Sequence, residues 1–113
     1  MTAEHFRKLA LAFPESVESA HVGHPDFRVR KRVFATLAYP DATFGMVKLT
    51  PAQQKHFVDR YPTVFVPVKG GWGERGSTNV KLRHATRATL MPALAAAWRD
   101  VAPLSLVAAD PGD

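Results

Sequence analysis

The stretch that decides the fold is residues 24–37, with the sequence HPDFRVRKRVFATL. Two apolar residues, Phe27 and Val29, alternate with arginines, and a run rich in Val, Phe and Thr follows over 32–39. Alternation of this kind is typical of half-buried strands. Because only residues 30–31 separate the two runs, we predict a tight antiparallel hairpin, or a slightly longer loop since neither residue favours a type I′ turn.

Outward from this hairpin, the chain alternates between strand and helix patterns. Further strands are predicted over residues 17–22, 44–49, 63–68 and 77–82. Three apolar stripes with helical spacing predict an N-terminal, a central and a C-terminal helix. Thr2 is the expected N-cap of the first helix, and Thr50 with Gln53 forms a capping box for the second. For the third helix, Thr86 as N-cap would place Pro92 inside the helix, whereas Thr89 places it in the first turn, where proline is tolerated, so we favour Thr89.

This order of elements predicts a single α+β domain. Meandering strands imply an antiparallel sheet with the three helices segregated to one face. We assign residues 1–103 to this domain and residues 104–113 to a flexible C-terminal tail.

Composition removes several classes of function. The 113 residues include no cysteine, which excludes disulfides, thiolate metal sites and cysteine nucleophiles. No apolar run is long enough for a membrane-spanning helix, so we expect a cytoplasmic protein without a membrane partner. The net charge is +5, yet residues 28–87 hold 12 basic and three acidic side chains, a net of +9. The concentration of positive charge in the middle of the chain favours an anionic partner.

The glycine-rich segment 71–76 matches the pattern G-x-G-x-x-G, but its context excludes a dinucleotide site. A predicted strand follows it instead of a helix, and no acidic residue lies between Glu74 and Asp100. We interpret the segment as a hairpin loop. Its Trp72 either packs at the edge of the core or stacks on a ligand or base.

No residue pattern nominates a catalytic or metal site. Zinc needs three or four convergent ligands, and the five histidines show no such spacing. The carboxylates show no pairing, and no nucleophile motif is present, so we predict a protein that is not an enzyme and has no cofactor. Only His21, His24 and Asp26 form a cluster of titratable residues.

Basic residues cluster at two predicted hairpins and predict contacts with nucleic acid. Lysine and arginine bind phosphates and release condensed counterions, whereas the same residues at strand ends also serve solubility. The candidate nucleic-acid-binding residues are these basic side chains and the tryptophan of the glycine-rich segment: Arg28, Arg30, Lys31, Arg32, Lys69, Trp72, Arg75, Lys81 and Arg83.

Two segments resemble the MmcQ/YjbR family of small bacterial proteins: H-P-D-F-R at 24–28 and W-G-x-R-G-x-T at 72–78. The resemblance implies a compact α+β fold with a double-wing arrangement, similar to the CyaY-like fold, and a DNA-binding function. It implies no catalytic residues. The matching motif residues are His24, Pro25, Asp26, Phe27, Arg28, Trp72, Gly73, Arg75, Gly76 and Thr78.

Two functions remain open from the sequence. The first is DNA binding of low sequence specificity, in which two basic β-hairpin wings of a monomer contact phosphates. The second is a non-catalytic module that binds a protein partner or a small anionic ligand in a pocket lined by Trp72, Phe27 and His24.

Overall fold

The structure is a computed structural model that describes residues 1–109. Six strands form one antiparallel sheet in the order β1-β2-β3-β4-β6-β5. The strands are β1 (Ser16–His21), β2 (His24–Val29), β3 (Arg32–Leu37), β4 (Phe44–Lys48), β5 (Phe65–Pro67) and β6 (Ser77–Lys81). The helices are α1 (Ala3–Leu11), α2 (Pro51–Arg60), α3 (Gly71–Glu74), α4 (Arg87–Val101) and α5 (Leu104–Ala109), with a 3-10 turn over Leu82–His84. The predicted α+β class and antiparallel sheet are confirmed.

The hairpin over residues 24–37 has a two-residue turn, so the tight form is the one adopted. Val29 pairs with Arg32, and both intervening residues are left-handed, with φ of 48° at Arg30 and 72° at Lys31. A turn with two positive φ angles matches the twist of the flanking strands. This match outweighs the low preference of arginine and lysine for left-handed backbone angles. A register shift at Phe27/Arg28 lets the neighbouring residues Phe34 and Ala35 both be buried.

Helix caps agree with the prediction for two helices and correct it for a third. Thr2 caps α1, and Thr50 and Gln53 form the capping box of α2. Helix α4 begins after Thr86, so the assignment of Thr89 as N-cap is wrong. Thr86 and Thr89 each accept a hydrogen bond from the other's backbone N–H, at 3.2 and 2.9 Å. Two satisfied donors offset the single hydrogen bond that Pro92 removes inside the helix.

Two short helices add to the three that the sequence predicts. The glycine-rich segment contains α3 within the connection between β5 and β6. Helix α5 begins in the segment predicted as a flexible tail, and its first turn is closed by hydrogen bonds from Leu106 and Val107 to the carbonyl of Pro103. Both side chains pack against the core, which explains why this segment is helical. Residues 110–113 lie outside the described residues.

The core lies between one face of the sheet and helices α1 and α4. Phe6 of α1 packs on Phe27, and the fully buried Trp98 of α4 stacks on Phe13. The Trp98 indole N–H donates to the carbonyl of Pro14 at 3.1 Å, which fastens α4 to the end of α1. This packing leaves the opposite face of the central strands for other contacts. Among residues 1–109, none of the helices has the length and apolar character needed to cross a membrane.

Candidate functional site

A groove of about 620 Å³ lies on the sheet face opposite the core. One row of its floor comes from residues paired directly across four strands, Asp26, Thr36, Met46 and Asn79. Paired residues point to the same face of a sheet, so strand register alone brings these side chains together. The groove extends from the turn between β1 and β2, beside His24 and Tyr39, to Trp72 of α3.

Asp26 and Arg28 form a bidentate ion pair at the groove. The Arg28 Nε and Nη2 atoms donate to the two carboxylate oxygens of Asp26 at 2.8 and 2.9 Å. The hydrogen bond to Asp26 raises the pKa of Arg28. Asp26 is only 2% exposed, and a buried carboxylate needs such a partner. Both carboxylate oxygens of Asp26 therefore hold the Arg28 guanidinium in place at the groove.

Two glycines of the 71–78 motif are required for close backbone contact. A Cβ at Gly73 would overlap the carbonyl oxygen of Val68, and one at Gly76 would overlap that of Leu49. Gly76 also has a φ of +113°, which L side chains rarely adopt. The buried Thr78 hydroxyl donates to the carbonyl of Gly76 at 2.8 Å. These contacts hold α3 firmly against the sheet.

Helix α3 presents Trp72 to the groove. The side chain is 61% exposed, so the alternative in which it packs into the core edge is not the one observed. The Arg75 guanidinium lies over the Trp72 ring, 5.0 Å from its centroid, which is cation–π geometry. From α2, the Gln54 amide donates to the carbonyls of Gly73 and Ser77, both at 3.0 Å, and fixes the connection from the other side.

Five of the predicted basic residues emerge at one end of the sheet. The β2–β3 turn and the β5–β6 connection both leave the sheet at this end, as shown by the Lys48–Ser77 and Pro67–Thr78 pairings of the strands there. We call this surface the basic end; its residues are Arg30, Lys31, Arg32, Lys69 and Arg75. All five side chains are exposed.

Within the basic end, only Arg30 has a carboxylate partner among residues 1–109. Its Nε and Nη2 atoms donate to Glu15 at 2.9 and 3.1 Å. The hydrogen bond from Arg30 lowers the pKa of Glu15, so that carboxylate is ionised at neutral pH. The remaining four cations make no ion pair within the described part of the chain.

The other predicted residues lie elsewhere. Lys81 is paired with Phe44 at the opposite end of the sheet, and Arg83 follows in the 3-10 turn. Arg28 lies in the groove, joined to Asp26. The nine candidates therefore do not form one surface, and the structure separates the basic end from Lys81 and Arg83.

Several residues that line the groove were not predicted from the sequence. Thr36, Met46 and Asn79 alternate with buried neighbours along their strands, and this alternation would have placed them on the open face. Lys48 and Tyr39 carry no comparable signal, because a lysine at a strand end and a tyrosine beside a proline are common surface features. Of the predicted pocket residues, Trp72 and His24 line the groove, whereas Phe27 is fully buried in the core. The assignment of Phe27 to the pocket is therefore wrong.

The histidines form no metal centre in the described structure. His21 pairs with His24 across β1 and β2, and the His24 ring contacts the Tyr39 ring edge-on at 5.3 Å. Among residues 1–109, no three His, Asp or Glu side chains are grouped closely enough to hold a metal ion.

Fold and site together define a small α+β domain whose antiparallel sheet has helices α1 and α4 on one face and a groove bordered by α3 on the other. The YjbR family model matches residues 11–100, and the chain belongs to this family. A crystal structure of the Deinococcus radiodurans protein DR2400, described as family-model domain DUF419, is similar with a TM-score of 0.71 at 17% identity. The similarity covers 92% of this chain and 80% of that one, and it concerns the fold. None of the curated proteins matches the sequence.

Proposed function

We propose that this protein binds DNA with low sequence specificity through phosphate contacts made by the basic end. The observation that carries the proposal is that two separate basic connections leave the sheet at the same end. Four of their cations, Lys31, Arg32, Lys69 and Arg75, have no carboxylate partner within residues 1–109. Unneutralised cations on exposed connections fit a polyanion.

The spacing of the two connections suits a phosphate backbone. Strands β3 and β6 are separated only by β4, so at the usual strand spacing the nearest strands of the two connections lie roughly 10 Å apart. Each connection then contacts a different phosphate, as paired wings would. No helix of the protein is needed to enter a groove, which is why we expect little discrimination between sequences.

Salt dependence of binding tests this proposal. Four phosphate contacts on duplex DNA predict that log K falls with log salt concentration with a slope of roughly −3 to −4. The measurement is fluorescence anisotropy of labelled duplexes of two unrelated sequences over a range of sodium chloride concentrations. Similar affinities for both sequences with this slope support the proposal. A slope near zero, or no binding at low salt, contradicts it.

Glu15→Gln should strengthen DNA binding. The substitution removes the carboxylate that holds Arg30 and frees the guanidinium at the basic end. We expect an affinity gain of roughly threefold at low salt and a salt slope steeper by up to about 1. Glu4→Gln is the matched control, because Glu4 pairs with Arg7 on α1, away from the basic end. Equal gains from both variants would show that net charge alone is responsible.

The groove favours a second candidate function, the non-catalytic binding of a small anionic ligand. Its volume of about 620 Å³ lies within the range of about 300–1,000 Å³ found for small-molecule sites. Lys48 supplies a positive charge in it, and Trp72 supplies an aromatic surface. Ligand-induced change in Trp72 fluorescence without DNA binding, and insensitive to salt, would favour this candidate over the first.

A further inference from the structure

We infer that the groove binds unpaired bases of a single-stranded nucleic acid, with Trp72 and Tyr39 as stacking surfaces and the basic end holding the adjoining phosphates. This inference rests on the proposed function and names the form of nucleic acid that the site prefers. Its starting point is that the groove and the basic end meet at α3, which carries both Trp72 and the helix-ending residue Arg75.

Two exposed aromatic rings face the groove. Trp72 is 61% exposed and Tyr39 is 59% exposed, whereas large aromatic side chains are usually mostly buried. Each ring contacts a neighbour, Trp72 the Arg75 guanidinium and Tyr39 the His24 ring in a T-shaped arrangement. Aromatic rings open to solvent are the elements on which unstacked bases pack in single-strand binding proteins.

The floor of the groove offers polar groups that the protein itself does not use. Within residues 1–109, the side chains of Thr36 and Asn79 make no hydrogen bond, although both line the groove. An asparagine amide presents donors and an acceptor together, which matches the edge of a nucleobase. Single-stranded recognition uses such hydrogen bonds on base edges that a duplex keeps paired.

The surface of the groove is mainly apolar, which suits the flat faces of bases, and its charged side chains leave an excess of positive charge. Among residues 1–109, Asp26 is the only carboxylate that lines the groove, and Arg28 neutralises it, whereas Lys48 has no ion-pair partner there. Lys48 is paired with Ser77 at the end of the sheet where Lys69 and Arg75 emerge. The exposed Glu74 of α3 offsets one charge at the basic end, where four cations without an ion pair among residues 1–109 still leave a net positive charge. The positive charge therefore increases from the floor of the groove toward the basic end, as a strand leaving the groove with its phosphates requires.

A duplex does not fit this arrangement, because its bases are stacked and their faces are covered. The Trp72 and Tyr39 rings lie at opposite ends of a groove of about 620 Å³, and only bases that have left the stack reach either ring. Phosphate contacts at the basic end remain possible for a duplex, so the inference predicts a preference and not exclusion.

The test compares a labelled single-stranded oligothymidylate with a duplex of equal length at one low salt concentration. We expect the single strand to bind at least about fivefold more tightly, since stacking on an aromatic side chain adds affinity for each base held. Addition of single strand should also quench Trp72 fluorescence. The other tryptophan, Trp98, is fully buried in the core and serves as an internal reference.

Trp72→Leu then separates stacking from phosphate contact. It should weaken single-strand binding at least about fivefold and change duplex binding less than about twofold. Tyr61→Leu is the matched control, because Tyr61 also forms a cation–π pair, with Arg60, but packs against the core side. It should change neither affinity. Tyr39→Leu provides a second groove variant, and thermal melts verify that each variant folds.

Three outcomes overturn the inference. The first is equal affinity for single strand and duplex with unchanged Trp72 fluorescence. The second is an equal loss of both affinities in Trp72→Leu. The third is quenching by thymidine monophosphate but not by the oligonucleotide, which would assign the groove to free nucleotides. If duplex binding persists with its salt dependence in these cases, the proposed function stands; if neither nucleic acid binds, the proposed function fails as well.

Discussion

A triple charge reversal at the basic end, Lys31→Glu, Arg32→Glu and Lys69→Glu, should nearly abolish DNA binding. We expect a loss of at least roughly 30-fold at low salt, because three phosphate contacts become three like-charge repulsions. The salt slope should fall by roughly 3 in magnitude for the same reason. All three side chains are exposed and make no ion pair within residues 1–109, so the fold should be unaffected.

The control for this variant carries the same change in net charge at the opposite end of the sheet. Lys81→Glu, Arg83→Glu and Arg87→Glu together should weaken binding by less than about threefold, which reflects the altered overall charge of the protein. Fluorescence anisotropy at fixed salt measures both variants, with thermal melts to verify folding. If the two triple variants lose affinity equally, binding follows net charge and the basic end has no special role.

Gly76→Ala should cause a large loss of stability. A Cβ there would overlap the carbonyl oxygen of Leu49, and the φ of +113° is unfavourable for alanine. Strain and overlap together should cost roughly 3 kcal/mol or more. For a domain of this size, that loss lowers the Tm by roughly 10 °C or more.

Gly23→Ala is the control for the conformational part of this effect. Gly23 also has a positive φ, +79°, but an added Cβ would meet nothing within 4 Å. Its substitution should cost only about 1 kcal/mol. Thermal or urea unfolding compares the two variants. If Gly76→Ala unfolds like Gly23→Ala, the contact between α3 and the β4–α2 segment is softer than the structure indicates.

Short sequence patterns predicted helices and strands correctly where each pattern has a single structural explanation. The capping box at Thr50 and Gln53 and the alternation around Phe27 each led directly to the observed element. At α4 two threonines three residues apart both suited an N-cap, and the proline rule favoured the wrong one. The reciprocal hydrogen bonds of Thr86 and Thr89 stabilise the earlier start of the helix. A rule based only on where proline is tolerated does not take these hydrogen bonds into account.

The candidate site was harder to predict because it depends on register across strands that are far apart in sequence. Asp26 and Asn79 line one groove only because β2, β3, β4 and β6 are neighbours in the sheet. The same order places Lys81 away from Lys69, although both flank the glycine-rich segment. Helix α3 was missed because the glycines that permit its close packing also favour a loop.

The most direct test of where this protein binds nucleic acid is a map of backbone amide chemical shifts during titration with a short DNA strand. We predict shifts concentrated at residues 30–32 and 69–75 and along the groove floor at Thr36, Met46 and Asn79. Amides of α1, of α4 and of the segment around Arg83 should remain unchanged. Shifts concentrated in those helices or around Arg83, or no shifts at low salt, would contradict the assignment of the basic end and its groove as the binding surface.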